Sequence, residues 1–111
     1  MLKKLAKRIN WEIEQAEDYC EQAMLVKHKS AQVADLFATL SSEEIVHAEK
    51  LLKEGQRLVD DNKAYSYGEE VKDENEKAWH EKCKVIWEWE HRMAMDRISE
   101  IQYKLSLYRS R

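Results

Sequence analysis

The chain contains no proline and only two glycines, Gly55 and Gly68, so almost nothing in its 111 residues interrupts a helix. Charged residues make up 37% and hydrophobic residues 43%. The apolar residues recur at alternating spacings of three and four, which is the pattern of helices that pack along one face. The length suits one domain with a modest core. We therefore predict a single all-α domain over residues 1–111.

The apolar pattern predicts three helices, over about residues 3–27, 31–59 and 70–108. The polar segment 27–30 is short enough to make the first two helices an antiparallel hairpin, and the Asp, Asn, Ser and Gly residues within 60–69 predict a loop. A third helix of about 39 residues is roughly 58 Å long, whereas the hairpin is about 40 Å long. The third helix is therefore expected to overhang the hairpin, to bend or to reach a second subunit.

Each predicted helix carries one apolar stripe, and a few ionisable residues lie within these stripes. Glu12 interrupts the first stripe, Glu44 and His47 the second, and Glu90 the third. Burial of such groups costs several kcal/mol unless something pairs with them. The three stripes consist of Leu2, Leu5, Ile9, Glu12, Ala16, Tyr19, Ala23 and Val26; of Val33, Phe37, Leu40, Glu44, His47, Leu51 and Leu58; and of Trp79, Cys83, Ile86, Glu90, Met93 or Ala94, Ile98, Ile101, Leu105 and Tyr108.

The second helix contains a competing signal, because Ser41 and Glu44 also have the spacing of a capping box that starts a new helix. The apolar stripe continues through this point without a change of phase, which favours one continuous helix.

Glu12 precedes and Glu44 follows the hairpin turn, centred near residue 28, by the same number of residues. Antiparallel helices therefore bring these two carboxylates to one level, with His47 one helical turn from Glu44. Oxygen ligands with one imidazole per metal suit iron or manganese, with zinc as a further candidate. Bundles that hold two metal ions use two Glu-x-x-His sets. The hairpin supplies one set, so a two-fold dimer is expected to supply the other.

The segment from Glu12 to Leu52 resembles the ferritin-like superfamily, in its rubrerythrin and encapsulated-ferritin branches. Glu12 is followed seven residues later by the aromatic Tyr19, and residues 43–48 read Glu-Glu-Ile-Val-His-Ala. Phe37 lies seven residues before Glu44. The resemblance implies that Glu12 and His47 are terminal ligands, that Glu44 bridges two metal ions, and that Tyr19 hydrogen-bonds the ligands.

The same resemblance implies a di-iron cofactor and the oxidation of Fe(II) by oxygen or peroxide, as in a ferroxidase or a peroxide-reducing oxidoreductase. Rubrerythrin has a second helical pair in the same chain, whereas this chain continues as one long helix. That departure favours the encapsulated-ferritin arrangement, in which two chains build the site. It leaves open whether a dimer or a higher homo-oligomer forms, and whether a protein shell surrounds it.

Several alternatives stay open at this point. Glu90 is either an additional metal ligand, or a residue that lines an entry path to the site, or the partner of Arg97 or of a neighbouring subunit's lysine. Glu88 and His91 repeat the Glu-x-x-His spacing but share a polar face, so we interpret them as surface residues. The whole chain could also be a structural or adaptor protein that binds no metal and self-assembles through its third helix, with the polar residues fixing helix register.

Composition excludes several other classes of protein. The formal net charge of −3 argues against a nucleic-acid-binding protein. No segment has the apolar run of a signal peptide or a membrane span, so we expect a cytoplasmic location. Cys20 and Cys83 are far apart in sequence, and we expect them to be reduced thiols in the core rather than a disulfide or zinc site.

Overall fold

The computed structural model describes residues 2–61 and 76–110, and every regular element within these ranges is helical. The helices are α1 (Leu2–Val26), α2 (Ala31–Asp60) and α3 (Glu76–Arg109). The prediction of an all-α fold with three helices is confirmed. The expected start of the third helix near residue 70, most of the expected loop and the Trp79 side chain lie outside the described residues.

The connection between α1 and α2 is a tight turn. The backbone N–H groups of Lys29 and Ser30 both donate to the carbonyl of Val26, at 2.9 Å. Ser30 then caps α2, because its hydroxyl oxygen accepts a hydrogen bond from the Val33 N–H at 3.3 Å. The result is the antiparallel hairpin that the sequence predicts.

Small side chains form the seam between α1 and α2. Ala16 and Ala23 of α1 and Ala34 and Ala48 of α2 are fully buried. They allow the two backbones to approach closely, and the Ser41 hydroxyl donates a 2.6 Å hydrogen bond to the Ala16 carbonyl. Ser41 therefore ties the two helices together within a continuous α2 and does not start a new helix.

The predicted core stripe of α2 is wrong in phase over residues 33–51, whereas its last member, Leu58, is buried as predicted. Val33 is 44% exposed, and 53% of the His47 side chain is exposed. The buried positions lie one residue further along, at Ala34, Ala38, Ser41, Ile45, Ala48, Leu52 and Gly55. The reason is the close approach of the helices: small residues occupy the seam, and the larger residues of the predicted stripe lie at its edge.

The third helix packs mainly on α1 and to a smaller extent on α2. Its buried residues are Cys83, Trp87, Ala94, Ile98, Ile101 and Leu105. Trp87 fills the space above Gly55, where an added Cβ would lie 2.6 Å from Trp87 Cζ2. The Trp87 indole N–H donates to Gln56 Oε1 at 2.9 Å. Trp87 therefore anchors α3 to α2 beside Gly55, which leaves room for the indole because it has no side chain.

Polar contacts also fix α3 against the hairpin. The Arg97 guanidinium donates to Glu17 Oε1 at 2.6 Å, and the Tyr108 hydroxyl donates to Asp35 Oδ1 at 2.7 Å. The molecule is a rod of 61 × 18 × 17 Å. None of the helices within the described ranges has an apolar stretch long enough to cross a membrane.

Candidate metal centre

Glu12 is a buried carboxylate in the seam between α1 and α2. Only 4% of its side chain is exposed. The Arg8 guanidinium, one turn earlier on α1, donates to Glu12 Oε1 at 3.0 Å and stacks over the ring of Trp11, with 4.4 Å to the ring centroid. Arg8 therefore fixes one carboxylate oxygen of Glu12 and leaves the other, Oε2, directed toward α2.

Glu44 and His47 of α2 meet this second oxygen. His47 Nδ1 lies 3.5 Å from Glu12 Oε2 and 3.8 Å from Glu44 Oε2. Each of the three residues contributes one oxygen or nitrogen atom, and these three atoms all lie within 4.8 Å of one another. The convergence expected from the positions of Glu12 and Glu44 relative to the hairpin turn is therefore present in the structure.

Two oxygen atoms of this group lack a hydrogen-bond donor. Glu12 Oε2 and Glu44 Oε2 are buried, and no donor among the described residues reaches either atom. Both distances to His47 Nδ1 exceed the normal length of an N–H···O hydrogen bond. Two adjacent, buried and unsatisfied carboxylate oxygens are costly, so the site requires a proton or a cation.

The pKa values of the two carboxyl groups follow from this geometry. The contact with Glu12, followed by burial and the negative charge of Glu12, raises the pKa of Glu44. Burial also acts to raise the pKa of Glu12, but the contacts with Glu44 and Arg8 and the charge of Arg8 outweigh it and lower that pKa. Glu44 is therefore the carboxyl group of the pair that is the harder to ionise without a cation.

The distances to His47 Nδ1 match those between ligands of one metal ion. Ligand atoms that share a metal at bonds of about 2.1 Å lie roughly 3 to 4.2 Å from one another, which includes the 3.5 Å to Glu12 Oε2 and the 3.8 Å to Glu44 Oε2. Two carboxylates and one imidazole make a site of charge −2 when His47 is neutral. The residues of the centre therefore fit a divalent transition metal, and the unsatisfied oxygens are the atoms that would bind it.

The other predicted site residues lie outside this group. Glu90 is half-buried in a crevice beside Asn10 and Trp87, between α1 and α3, and the structure does not bring it to the centre. Tyr19 stacks on Phe37, with ring centroids 6.1 Å apart. A hydrogen bond from the Tyr19 hydroxyl to the ligands stays a prediction.

The second Glu-x-x-His pair of α3 does not form a metal-binding group. Glu88 is exposed, as expected, whereas His91 is half-buried and makes an edge-to-face contact with Trp87, at 5.9 Å between ring centroids. Arg97, the expected alternative partner of Glu90, donates to Glu17 and to Asn10.

Arg8 is the functional residue that the sequence interpretation missed. Its signal was available, because Arg8 and Glu12 are four residues apart on one helix face, where an ion pair is expected. A second difference concerns depth: Glu12 is buried, but 53% of the His47 side chain is exposed. The centre therefore lies at the open edge of the hairpin seam rather than inside the three-helix core.

Comparison with known proteins adds no relatives, since no protein-family model, curated protein or solved structure matches the chain. The assignment of the centre therefore depends on its own residues.

Proposed function

We propose that this protein binds iron at Glu12, Glu44 and His47 and acts as a ferritin-like di-iron carboxylate protein. The observation that carries the proposal is the pair of buried carboxylate oxygens, Glu12 Oε2 and Glu44 Oε2, that lack a donor and face His47 Nδ1. A divalent ion supplies the missing positive charge to both oxygens at once. The motif resemblance of residues 12–52 to rubrerythrins and encapsulated ferritins favours iron over the other metals that such ligands accept.

The residues around the centre have distinct tasks in this function. Glu12 and Glu44 provide the oxygen ligands, and His47 provides the nitrogen ligand. Arg8 holds Glu12 Oε1 so that Oε2 keeps its orientation before a metal binds. Bound iron supplies one-electron redox chemistry, with oxygen or peroxide as the electron acceptor. The partial burial of the carboxylates limits access of water to their inner oxygens, which strengthens their attraction for a cation.

A second copy of the chain is expected to complete the centre. One hairpin offers two carboxylates and one histidine, half of the set used by bundles with two metals. The edge that carries His47 also presents large residues that are only partly buried, namely Leu5, Tyr19, Phe37, Leu40 and Leu51. A two-fold axis beside His47 covers this edge and brings a second Glu12, Glu44 and His47 opposite the first.

The decisive measurement is metal content after loading with Fe(II) under anaerobic conditions, followed by gel filtration and elemental analysis. About one iron per chain is expected for a site shared between two chains, and Glu44→Ala and His47→Ala should each abolish it. Glu43→Ala is the matched control, because Glu43 is the exposed neighbour of Glu44. Oxygen uptake on re-aeration then tests for Fe(II) oxidation.

Other outcomes of this measurement separate the alternatives. About two ions per chain would mean that residues of the same chain complete a di-iron site. No stoichiometric metal, in a protein that is equally stable with either substitution, would refute the iron-binding function. The remaining interpretation would then be a helical structural or adaptor protein that self-assembles without metal.

A further inference from the structure

The outward face of α3 carries large apolar side chains that the hairpin does not cover. Val85 is 64% exposed, Trp89 60%, Tyr103 63% and Leu107 45%. They form two pairs, each with four-residue spacing, on the side of α3 opposite its buried residues such as Trp87. We name these four residues, with the charged residues between them, the outer face of α3.

Charged side chains occupy the middle of the outer face. Arg92, Asp96 and Glu100 all lie between the two apolar pairs, and all three are exposed. Along the helix the order is therefore an apolar pair, one positive charge, two negative charges and a second apolar pair. This order is asymmetric, so it favours one direction of pairing with an identical helix over the other.

We propose that the outer face of α3 docks against the same face of a second copy, with the two helices antiparallel. In this direction Val85 and Trp89 of one copy pack near Tyr103 and Leu107 of the other copy. A parallel, in-register pairing would instead place identical residues opposite each other.

Charge complementarity selects the antiparallel arrangement. Packing Val85 and Trp89 against Leu107 and Tyr103 places residue 96 at the two-fold axis. Arg92 of each copy then lies opposite Glu100 of the other, and only the two Asp96 side chains meet a like charge at the axis. In a parallel pairing, each of these three charges would meet its own kind, which is unfavourable. The apolar pairs and the charges therefore favour the same arrangement.

The area of the outer face fits a modest interface. Seven residues per copy is few against the roughly 20 to 30 residues per side of a standard interface, so the pairing belongs to the small, weak interfaces. Two exposed aromatic residues per copy provide the anchors typical of such contacts. The dimer is therefore expected to dissociate on dilution.

This surface shares no residue with the candidate metal centre, which lies on α1 and α2. The inference therefore does not depend on the proposed function. The two faces together allow one chain to pair at two separate places, which links dimers into larger assemblies. Measurement in the presence of a chelator isolates the contact through α3, because metal then contributes nothing to association.

The test is a complementary charge reversal, followed by sedimentation equilibrium in EDTA over a range of protein concentrations. In Arg92→Glu, each copy presents three negative charges to the other, and the dimer should weaken by about ten-fold or more. In the double variant Asp96→Lys/Glu100→Lys, each copy presents three positive charges, with the same expected result. An equal mixture of the two variants places opposite charges together at all three levels of the contact and should restore at least wild-type affinity.

Two further variants keep the result interpretable. Trp89→Ser removes an apolar anchor and should also weaken the dimer, whereas Leu36→Ser, at an exposed apolar residue of α2, should leave it unchanged. Circular dichroism checks that each variant stays helical. A wild-type protein that remains monomeric in EDTA, a variant Arg92→Glu that associates like the wild type, or a mixture that stays monomeric would each overturn the proposal. Iron binding that persists in Arg92→Glu would show that the two contacts are separate.

Discussion

At the scale of single residues, Glu44 is a carboxyl group whose ionisation is unfavourable in the metal-free protein. It lies beside the buried Glu12, and the pKa of Glu44 is raised by that contact and by burial. A glutamine at this position keeps the shape and donates a hydrogen bond to Glu12 without adding charge. Such neutral replacements of buried charges are often stabilising.

We predict that Glu44→Gln stabilises the metal-free protein by about 1 kcal/mol at neutral pH, which corresponds to a rise in Tm of about 4 °C for a domain of this size. The same variant should lose the stabilisation that the wild type gains from added Fe(II). Thermal unfolding with and without metal measures both effects, with Glu43→Gln as the control. A fall in the Tm of metal-free Glu44→Gln would contradict the proposed repulsion between Glu44 and Glu12.

The stability difference between wild type and Glu44→Gln should depend on pH. Because the folded-state pKa of Glu44 is raised, its protonated form stabilises the fold below the unfolded pKa of about 4.3. That contribution is lost as the pH rises through the higher folded pKa. The advantage of Glu44→Gln should therefore be near zero at about pH 4 and grow toward pH 7, as unfolding in a series of buffers can show. A constant difference across this range would exclude titration of Glu44 as its cause.

At the scale of helices, close packing against Trp87, rather than helix propensity, explains why residue 55 is a glycine. Alanine is the better helix former by about 1 kcal/mol, but its Cβ would lie 2.6 Å from Trp87 Cζ2 and 2.8 Å from Cζ3. Both distances are well below van der Waals contact, so either α3 or the indole has to move. The Trp87 indole also donates a hydrogen bond to Gln56, which restricts that movement.

We predict that Gly55→Ala lowers the free energy of unfolding by about 1 to 3 kcal/mol, measured by urea denaturation. The loss should be smaller when Trp87 is also replaced by phenylalanine, because the outer ring atoms are then absent. A double-mutant cycle provides the comparison. An equal loss in both backgrounds would show that the indole is not what Gly55 accommodates.

The helices themselves follow from the sequence to within a few residues where the structure describes them, because no proline interrupts them and Ser30 caps α2. The rotation of α2 does not follow. Apolar periodicity gives most weight to large residues such as Val33, but Val33 is 44% exposed, whereas Ala34 and Ala48 are fully buried. Alanine is compatible with nearly any position of a helix, so only the distance between two packed helices reveals which alanines lie in the seam.

At the scale of the whole molecule, the sequence predicts the candidate centre as far as the centre depends on the number of residues between the hairpin turn and each carboxylate. Glu12 and Glu44 stand at equal distances from a tight turn, so antiparallel helices bring them together whatever the exact rotation. The exposure of His47 depends on the rotation of α2, and the separation of Glu90 from the centre depends on how α3 lies on α1. Neither quantity is encoded in the spacing of motifs within one helix.

The open edge at His47 leads to a prediction about assembly. If a second copy completes the centre, metal binding and association are linked, and each must strengthen the other. Added Zn²⁺ or Mn²⁺, which avoid oxidation chemistry, should therefore convert monomer to dimer in the variant Arg92→Glu, whose contact through α3 is weakened. The Tm of this variant in the presence of metal should also rise with protein concentration, whereas its Tm in EDTA should not.

Sedimentation velocity at several metal concentrations measures this linkage, and His47→Ala in the Arg92→Glu background is the control that should remain monomeric. Metal binding without any change in sedimentation would place the complete site within one chain, since a ligand that binds only at a shared interface cannot bind without forming it. If metal causes association and the control variant stays monomeric, the exposed imidazole of His47 belongs to an interface between two chains. The exposure of His47 in a single chain would then be a consequence of a site that two chains build together.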